Sequence, residues 1–330
     1  MLQIAATQPA HHFIFFSENK LTGSNVQSII TSPAPKTALV WKLWYDYKLP
    51  ALLKKHKADI FIGPCISSRT KIPQFLFIAE DGASNKKQGK LVKKWLPAFF
   101  ARATRIITTS EIRRNKIIDQ YKIIPEKISS IYPPADPQFQ PMNWEEKEAV
   151  KKQFSEGKEF FLAPVQLNNH NDLINLLKAF SFFKKRQKSN MQLLIITDAE
   201  KNPAVKSLSS YKYRDDVKLL YGLLTPAIAK LAAAAYTFID VEGNVSVSIN
   251  ALRTHVPLIL PDKELMHGFF KDASLYCNFE QVEHTAQQMM LVFKDENKRN
   301  ELIENARLRS QEFELEVVAG SLCCAITKAD

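Results

Sequence analysis

The stretch FIDVEGNVSVSINALRTHVPLILP, from Phe238 to Pro261, decides how this chain of 330 residues is interpreted. It predicts a short apolar strand, a turn at Glu242 and Gly243, a helix and a second apolar strand. The first backbone N–H groups of such a helix lack intrahelical partners and, with the helix dipole, suit an anion such as a phosphate. An ordinary β–turn–α unit that needs a glycine gives the same pattern. Taken alone, the stretch therefore favours a structural role over a ligand site.

Length and composition indicate a protein of two domains, since 330 residues exceed one typical domain and 45% of them are hydrophobic. The first residues lack the basic segment and apolar run of a signal peptide, and no run of about 18 apolar residues would span a membrane. The four cysteines show no metal-ligand spacing and are expected to be free thiols in a reducing compartment. We therefore predict a cytoplasmic protein.

The net charge of +11 is unevenly distributed. Residues 1–141 carry a net charge of +12, with 21 lysines and arginines against 9 acidic residues, whereas residues 142–330 carry −1. A basic half is typical of proteins that contact nucleic acid, an anionic membrane surface or an acidic substrate.

Both halves alternate apolar strands with helices, which predicts an α/β fold with one parallel sheet per domain and right-handed crossovers. A Pro-rich stretch, Tyr132–Trp144, predicts the domain boundary. The expected strands are His11–Glu18, Ser28–Ser32, Ala58–Pro64, Phe75–Gly82, Arg105–Ser110, Lys127–Asp136, Phe160–Val165, Gln192–Thr197, Val217–Tyr221, Tyr236–Val241 and Pro257–Leu260. In parallel sheets ligands bind beyond the carboxyl ends of the strands. The loops of interest therefore follow Val165, Thr197, Tyr221, Val241 and Leu260.

Two helices of the basic half contain an internal proline. Apolar and aromatic residues at helical spacing predict a helix over Thr37–Lys57, which Pro50 should kink or divide. A second helix is predicted over Lys86–Arg105, with Pro97 as a kink. Its lysines and arginines lie beside Trp95 and other apolar residues. This pattern suits contact with an anionic lipid surface, but it is more typical of a helix that packs on its sheet and exposes a basic face.

The order of these pieces resembles a known family. IITTSEIRRNKIIDQYKIIPEKISSIYPPAD, FFLAPVQLNNHNDLINLLKAFSFFKK, VKLLYGLLTPAIAKLAAAAYTFIDVEGN, FKDASLYCN and DENKRNELIENARLRSQEF match it in order over Ala58–Glu312, the last two as closing helices. The chain resembles the GT-B-fold retaining glycosyltransferases of family 4, also called group 1. The resemblance implies two Rossmann-like domains facing a cleft. Residues 1–141 would form an abbreviated acceptor-side domain, 142–312 the nucleotide-sugar domain, and 313–330 a C-terminal helix crossing back to the first domain.

The resemblance also implies site residues. Glu242 would contact the donor sugar, Asn250 the nucleotide ribose, and the helix beginning near Val245 the diphosphate. The family's His-Asp pair appears here as Glu80-Asp81, and Glu80 would bind a substrate hydroxyl, although an acidic turn at the end of a strand explains it at least as well. The positions that match the family's donor site are Gln166, His170, Asn171, Gly222, Gly243, Asn244, Val245, Ser246 and Asn250. A nucleotide-diphosphate sugar is then the substrate. No metal or cofactor is expected, because nothing resembles an Asp-x-Asp metal site.

Several family positions carry different residues here. The loop after the second domain's first strand usually supplies a Gly, a basic residue and a Lys, which hold the donor's diphosphate. The matching residues are Val165, Gln166 and Asn171, with His170 beside the last. Charge-assisted hydrogen bonds are roughly twice as strong as neutral ones, so donor binding should weaken unless His170 is protonated. In the motif that begins at Glu242, this chain has Asn250 where the family has a second Glu. Val245 and His255 stand at two positions where the family has glycines.

Three hypotheses follow. The first is a glycosyltransferase that moves a sugar from a nucleotide-sugar to a glycan or lipid-linked acceptor. The second is a catalytically impaired GT-B-fold protein that serves as a binding or scaffolding partner, which the missing cations favour. The third is a peripheral membrane or nucleic-acid binder that uses the basic first domain, with Lys86–Arg105 as the helix that would contact an anionic surface at the inner membrane face. No nucleic-acid motif accompanies the basic residues, so no nucleic acid is expected as a partner.

Overall fold

The computed structural model describes residues 1–31, 37–78, 86–165, 170–197 and 208–327. The chain divides into two compact units. Unit 1 comprises Met1–Pro133 and Leu315–Asp330, and unit 2 comprises Pro134–Glu314. The change of unit at Pro134 falls within the Pro-rich stretch that the sequence marks as a boundary.

The described residues of unit 1 form six parallel strands in two sheets. They are β1 (Phe13–Ser17), β2 (Val26–Ile30), β3 (Phe61–Pro64), β4 (Gln74–Ile78), β5 (Arg105–Thr108) and β6 (Ile128–Ser130). Strands β1 and β2 pair with each other, and the other four form a sheet in the order β3-β4-β5-β6. Each strand overlaps an apolar run that the sequence predicts as a strand.

Helices connect these strands. Unit 1 contains α1 (Leu2–Ala6), α2 (Ala38–Leu43), a π-helix (Trp44–Lys48), α3 (Leu49–Lys55), α4 (Lys86–Arg102), α5 (Glu111–Tyr121) and a 3₁₀ turn (Pro125–Lys127). The predicted helix over Lys86–Arg105 ends at Arg102, and Arg105 opens strand β5. Ser110 caps α5 by accepting a hydrogen bond from the backbone N–H of Arg113.

The predicted helix over Thr37–Lys57 is observed as three contiguous helical segments, and Pro50 lies in the first turn of the last of them. The π-helix lies just before it, and the N–H of Leu49 bonds to the carbonyl of Trp44, five residues back. In that ladder the next donor would be Pro50, which has no N–H. The carbonyl of Tyr45 instead accepts a hydrogen bond of 2.6 Å from the Ser68 hydroxyl. A buried carbonyl that would otherwise lack a partner is thereby satisfied.

The C-terminal helix α13 (Leu315–Thr327) belongs to unit 1. Its buried face packs with Phe75 of β4 and Ile107 of β5 in one apolar cluster. The helix contributes Val318, Ala319, Leu322 and Ala325 to this cluster. The last segment of the chain therefore completes the core of the unit that contains the first segment.

In unit 2, the part of the chain that the structure describes forms one six-stranded parallel sheet. Its strands are β7 (Phe160–Pro164), β8 (Gln192–Ile196), β9 (Val217–Leu220), β10 (Thr237–Ile239), β11 (Leu258–Pro261) and β12 (Ser274–Cys277), in the order β12-β11-β10-β7-β8-β9. The chain builds outward from β7 through β9 and then returns to the other side at β10. The order therefore reverses between β7 and β10, which creates a topological switch point where ligands bind in such sheets.

The residues that the structure describes in unit 2 also form helices before, between and after the strands of this sheet. They are α6 (Trp144–Ser155), α7 (His170–Gln187), α8 (Thr225–Ala234), α9 (Val245–Arg253), α10 (Glu264–Phe270), α11 (Val282–Lys294) and α12 (Glu296–Ser310), with 3₁₀ turns at Arg214–Asp216, Lys271–Ala273 and Gln311–Phe313. Asn143 and Glu146 form a reciprocal capping box at the start of α6.

Aromatic packing forms the core of unit 2. The ring of Phe161 on β7 lies 5.0 Å from the ring of Phe183 on α7, in an edge-to-face arrangement. Phe183 makes a second such contact, at 5.2 Å, with Phe293 of α11. Pairs of this geometry stabilise a core beyond the area they bury. They fix α7 and α11 on one face of the sheet, where buried Leu173 and Met289 join the same cluster.

The prediction that FKDASLYCN belongs to a closing helix is wrong. Residues Ser274–Cys277 form β12, an edge strand that pairs in parallel with β11, with Leu258 opposite Ser274. Its residues, SLYC, mix polar and apolar side chains and do not form a continuous apolar run. The remaining α/β pattern and the parallel sheets confirm the predicted fold class. Among the residues that the structure describes, no helix is long and apolar enough to cross a membrane.

We expect Leu322→Ala to lower the unfolding free energy of unit 1 by about 3 kcal/mol, because it leaves a cavity under α13. Urea unfolding followed by the fluorescence of Trp41, Trp44 and Trp95, which belong to this unit, measures the change. Val317→Ala is the matched control, since Val317 on the same helix is 48% exposed and should cost less than about 0.5 kcal/mol. Equal losses for both variants would contradict this packing.

Candidate functional site

A cavity of about 670 Å³ lies in unit 2 at the carboxyl ends of β10, β11 and β12. Its lining residues are Asp172, Val241, Glu242, Pro261, Asp262, Lys263, Cys277, Asn278, Phe279 and Glu280. All but Asp172 follow or end one of these strands, and Asp172 comes from the first turn of α7. The cavity thus lies beside the switch point, and Glu242, the predicted sugar-binding residue, is part of its wall.

The buried carboxylate of Asp240 holds the turn that carries Glu242. Its Oδ1 accepts hydrogen bonds from the backbone N–H groups of Glu242, at 3.1 Å, and Gly243, at 2.9 Å. Its Oδ2 accepts from the Ser248 hydroxyl on α9 at 2.6 Å. One side chain therefore joins strand β10, the turn and the following helix, and it fixes the backbone from which Glu242 projects.

Burial raises the pKa of Asp240 above its ordinary value, and the hydrogen bonds from Ser248 and from the backbone of the turn oppose this only in part. Asp240 is 1% exposed. Since its hydrogen bonds are all local, its position indicates a role in shaping the turn.

The backbone conformation at position 243 and its close neighbours both require a glycine there. Its φ is +76°, in the left-handed region that residues with a Cβ rarely adopt. A Cβ there would lie 3.0 Å from Cγ of Pro261 and 3.6 Å from Nζ of Lys263. The strand ends of β10 and β11 are thereby brought close together.

The N-terminus of α9, predicted to hold the diphosphate, is capped by the chain itself. Oδ1 of Asn244 accepts hydrogen bonds from the N–H groups of Ser246, at 3.1 Å, and Val247, at 3.3 Å. Asn244 is a typical N-cap residue. A phosphate could use these N–H groups only by displacing this exposed side chain.

Lys263 is a site residue that sequence reasoning missed. Its ammonium donates a hydrogen bond of 3.1 Å to the backbone carbonyl of Glu242. It is the cation among the cavity's described lining residues, where four carboxylates, those of Asp172, Glu242, Asp262 and Glu280, also lie. The available signal was its position in the loop after Leu260, one of the strand-end loops that the sequence marks.

A histidine and a tyrosine support the same loop. Nε2 of His267 lies 2.7 Å from Oδ1 of Asp262, and the His267 ring stacks on Tyr276 with 3.7 Å between ring centroids. Burial raises the pKa of Tyr276 to about 12, so its hydroxyl remains a donor, and it bonds to the carbonyl of Lys271. These contacts connect the loop after β11 with strand β12.

The structure brings only some of the predicted residues to this cavity. Glu80 and Gln166 lie outside the described residues, as does the side chain of His170. Of the described candidates, those that do not line the cavity are Asn171, Gly222, Gly243, Asn244, Val245, Ser246 and Asn250. Asn171 is exposed near the start of α7, and Gly222 is exposed after β9 with a φ of +61°.

Asn250, predicted to bind the ribose, has a structural contact. Its Oδ1 accepts a hydrogen bond of 2.8 Å from the backbone N–H of Asp136, 114 residues earlier in the chain. His255 has a left-handed φ of +57° and lies 3.2 Å from the Ser310 hydroxyl. Burial lowers the pKa of His255, which favours the neutral imidazole.

The doubly wound sheet of unit 2, its strand-end cavity and the parallel sheet of unit 1 are the features of a GT-B glycosyltransferase fold. The profile of the family described as glycosyl transferases group 1 matches residues 145–309, half of the chain. The protein belongs to this family. No curated protein sequence matches the chain.

Solved structures confirm the GT-B fold. A glycosyltransferase from Rickettsia africae superposes with a TM-score of 0.75 at 14% identity, over 99% of this chain and 93% of that one. A sucrose-phosphate synthase from Thermosynechococcus elongatus also gives 0.75 at 14% identity, over 100% and 92%. HepE from Anabaena, in complex with UDP, gives 0.70 at 14% identity, over 92% and 86%.

We expect Asp240→Asn to be at least as stable as the wild type at pH 7. The raised pKa means that the folded state binds this proton more tightly than the unfolded state. The group's contribution to stability is therefore full below about pH 4 and is lost as pH rises through the folded pKa. Asparagine keeps an acceptor for the turn without a buried charge.

Urea unfolding of both proteins between about pH 4 and 7 measures the difference in their unfolding free energies. As pH rises, Asp240→Asn should become more stable relative to the wild type. Asp240→Ala is the contrasting variant. It leaves the N–H groups of Glu242 and Gly243 without their acceptor and should cost about 2 kcal/mol. A wild type clearly more stable than Asp240→Asn at pH 7 would show that the charge stabilises the turn.

Proposed function

We propose that this protein transfers a sugar, with retention of anomeric configuration, from a uridine or guanosine diphosphate sugar to a hydroxyl of a glycan or lipid-linked acceptor. The observation that carries the proposal is the position of Glu242 in the wall of a cavity at the carboxyl end of β10, within the part of the chain that matches the family. The complexes of HepE with UDP and with UDP-glucose support this donor class.

Glu242 is proposed to hold the donor sugar. A carboxylate accepts hydrogen bonds from two hydroxyls at once, and bonds to a charged acceptor are stronger than neutral ones. The turn that carries Glu242 is fixed through Asp240, so the carboxylate approaches the sugar from a defined backbone position. Rigid placement of a binding group lowers the entropic cost of binding.

Other residues would contact the nucleotide. Asn250 is proposed to reach the ribose with its amide N–H₂, because its oxygen already accepts from Asp136. Asn171 and Gly222, which lie near other strand ends of the same sheet, complete the proposed donor site with Gly243. Transfer is proposed to need no metal or cofactor, since the sequence contains no Asp-x-Asp segment.

A panel of nucleotide-sugars tests the proposal with the full chain. We expect at least one uridine or guanosine diphosphate sugar to raise the melting temperature and to be turned over. Glu242→Ala should lower kcat/KM about 100-fold, the value of a lost charged hydrogen-bond partner. The matched control is Glu283→Ala, because Glu283 is exposed on α11 and does not line the cavity.

The outcomes separate the alternatives. Donor binding without turnover, in the presence of a range of glycan acceptors, would favour the catalytically impaired scaffold. A panel in which no donor binds would refute the proposal. Normal activity of Glu242→Ala would refute the assignment of Glu242 while leaving the reaction in place.

We also propose that α4 brings the protein to an anionic membrane surface at the inner membrane face, where a lipid-linked acceptor would be met. Phe99 and Phe100 of this helix are buried in the core of unit 1, while Lys94 is exposed. The sequence places Lys86, Lys87 and further lysines on the same helix. Basic helices bind anionic lipids with about 1 kcal/mol per lysine near the surface.

Sedimentation with phosphatidylglycerol vesicles tests this contact. Replacing Lys86, Lys87 and Lys90 by Gln should weaken binding at least about tenfold, and added salt should weaken wild-type binding. Replacing the exposed Lys152, Lys185 and Lys294 of unit 2 by Gln makes the same change in net charge and serves as the control. Equal effects of the two sets would leave only a general charge effect and refute the assignment to α4.

A further inference from the structure

We propose that Lys263 binds the diphosphate of the donor and so supplies, from the loop after β11, the cation that the loop after β7 lacks. This inference rests on the proposed function, because it concerns the same cavity and the same donor class. It adds a residue that binds the phosphates of the donor, and it gives the orientation of the donor in the cavity.

The need for a cation follows from the sequence of the loop after β7. Residues 165–171 read VQLNNHN and contain no lysine or arginine. The nearby helix N-terminus of α9 does not replace them, since Asn244 already occupies the N–H groups of Ser246 and Val247. A donor diphosphate carries at least two negative charges, and such groups bind proteins through charged donors and free N–H groups.

Lys263 has the position that this role requires. Its backbone N–H bonds to the carbonyl of Pro261 at 2.8 Å, in a tight turn at the end of β11. Its ammonium is held beside the Glu242 turn by the 3.1 Å bond to the Glu242 carbonyl. That bond uses one of three donors, and among the described residues no second acceptor of the Lys263 ammonium is found. Two N–H groups thus remain to bind phosphate oxygens.

The charges of the lining residues indicate how the donor is oriented in the cavity. Four carboxylates line it, from Asp172, Glu242, Asp262 and Glu280, and these repel a diphosphate but accept hydrogen bonds from sugar hydroxyls. The sugar should therefore face the carboxylates, and the diphosphate should lie at Lys263. The same charges disfavour a donor sugar that itself carries a carboxylate, so a neutral or amino sugar is the expected class.

Binding measurements with nucleotides and nucleosides test the role of Lys263. Isothermal titration of the full chain with UDP and GDP should give a dissociation constant about tenfold higher for Lys263→Gln than for the wild type. The preferred nucleoside without phosphates, followed by NMR titration, should bind both proteins equally. Lys263→Arg should keep diphosphate binding within about threefold, because it keeps the charge. Lys230→Gln, an exposed lysine of α8, is the matched control.

Each outcome decides a separate point. A wild type that binds a diphosphate while Lys263→Gln binds it equally well would overturn the assignment of Lys263 and leave the proposed function intact. A Lys263→Gln variant that loses the nucleoside as well would also overturn it, since the defect would not concern the phosphates. A wild type that binds no nucleoside diphosphate would refute the proposed function itself. Preference for a uronic acid donor over its neutral counterpart would overturn the proposed orientation.

Discussion

The buried carboxylate of Asp240 is the interaction on which the candidate site depends. Burying a charge is costly unless hydrogen bonds compensate for it, and here the turn and the Ser248 hydroxyl supply them. The raised pKa shows that the compensation is incomplete. These hydrogen bonds hold the turn in one conformation. In it, Glu242 lies in the wall of the cavity and its backbone carbonyl accepts a hydrogen bond from Lys263. Both proposed contacts to the donor therefore depend on one buried side chain.

The identity of the proposed cation has a chemical consequence. An arginine presents a planar fork that binds two phosphate oxygens at once, whereas a lysine is a point charge on a flexible stem. Lys263 is partly ordered by the Glu242 carbonyl, but it is exposed and stands among carboxylates. A site of this kind would stabilise a departing diphosphate less than a site with two fixed cations. Slow transfer would thus follow from the charge arrangement without any loss of the fold.

Much of the fold is predictable from the sequence, because buried parallel strands are apolar runs bounded by turns. The run at Phe160–Val165 corresponds to β7, observed at Phe160–Pro164. Strand β12 was missed because its residues, SLYC, do not form a continuous apolar run. Lys263 was missed because the sequence identifies strand ends but not which side chains share a cavity. The bond between Asn250 and Asp136 spans 114 residues, and no local pattern encodes such a contact.

His255 and Asn250 hold the segment that follows Glu242. His255 adopts a left-handed conformation, at a cost of about 1 kcal/mol, and it lies within hydrogen-bond distance of Ser310. Asn250 anchors the segment at Asp136. The buried carboxylate of Asp240 and the left-handed Gly243 do not line the cavity themselves but shape the turn that places Glu242 in its wall. A turn held in this way suits the proposed role of Glu242 in positioning a sugar better than a role as a scaffold alone.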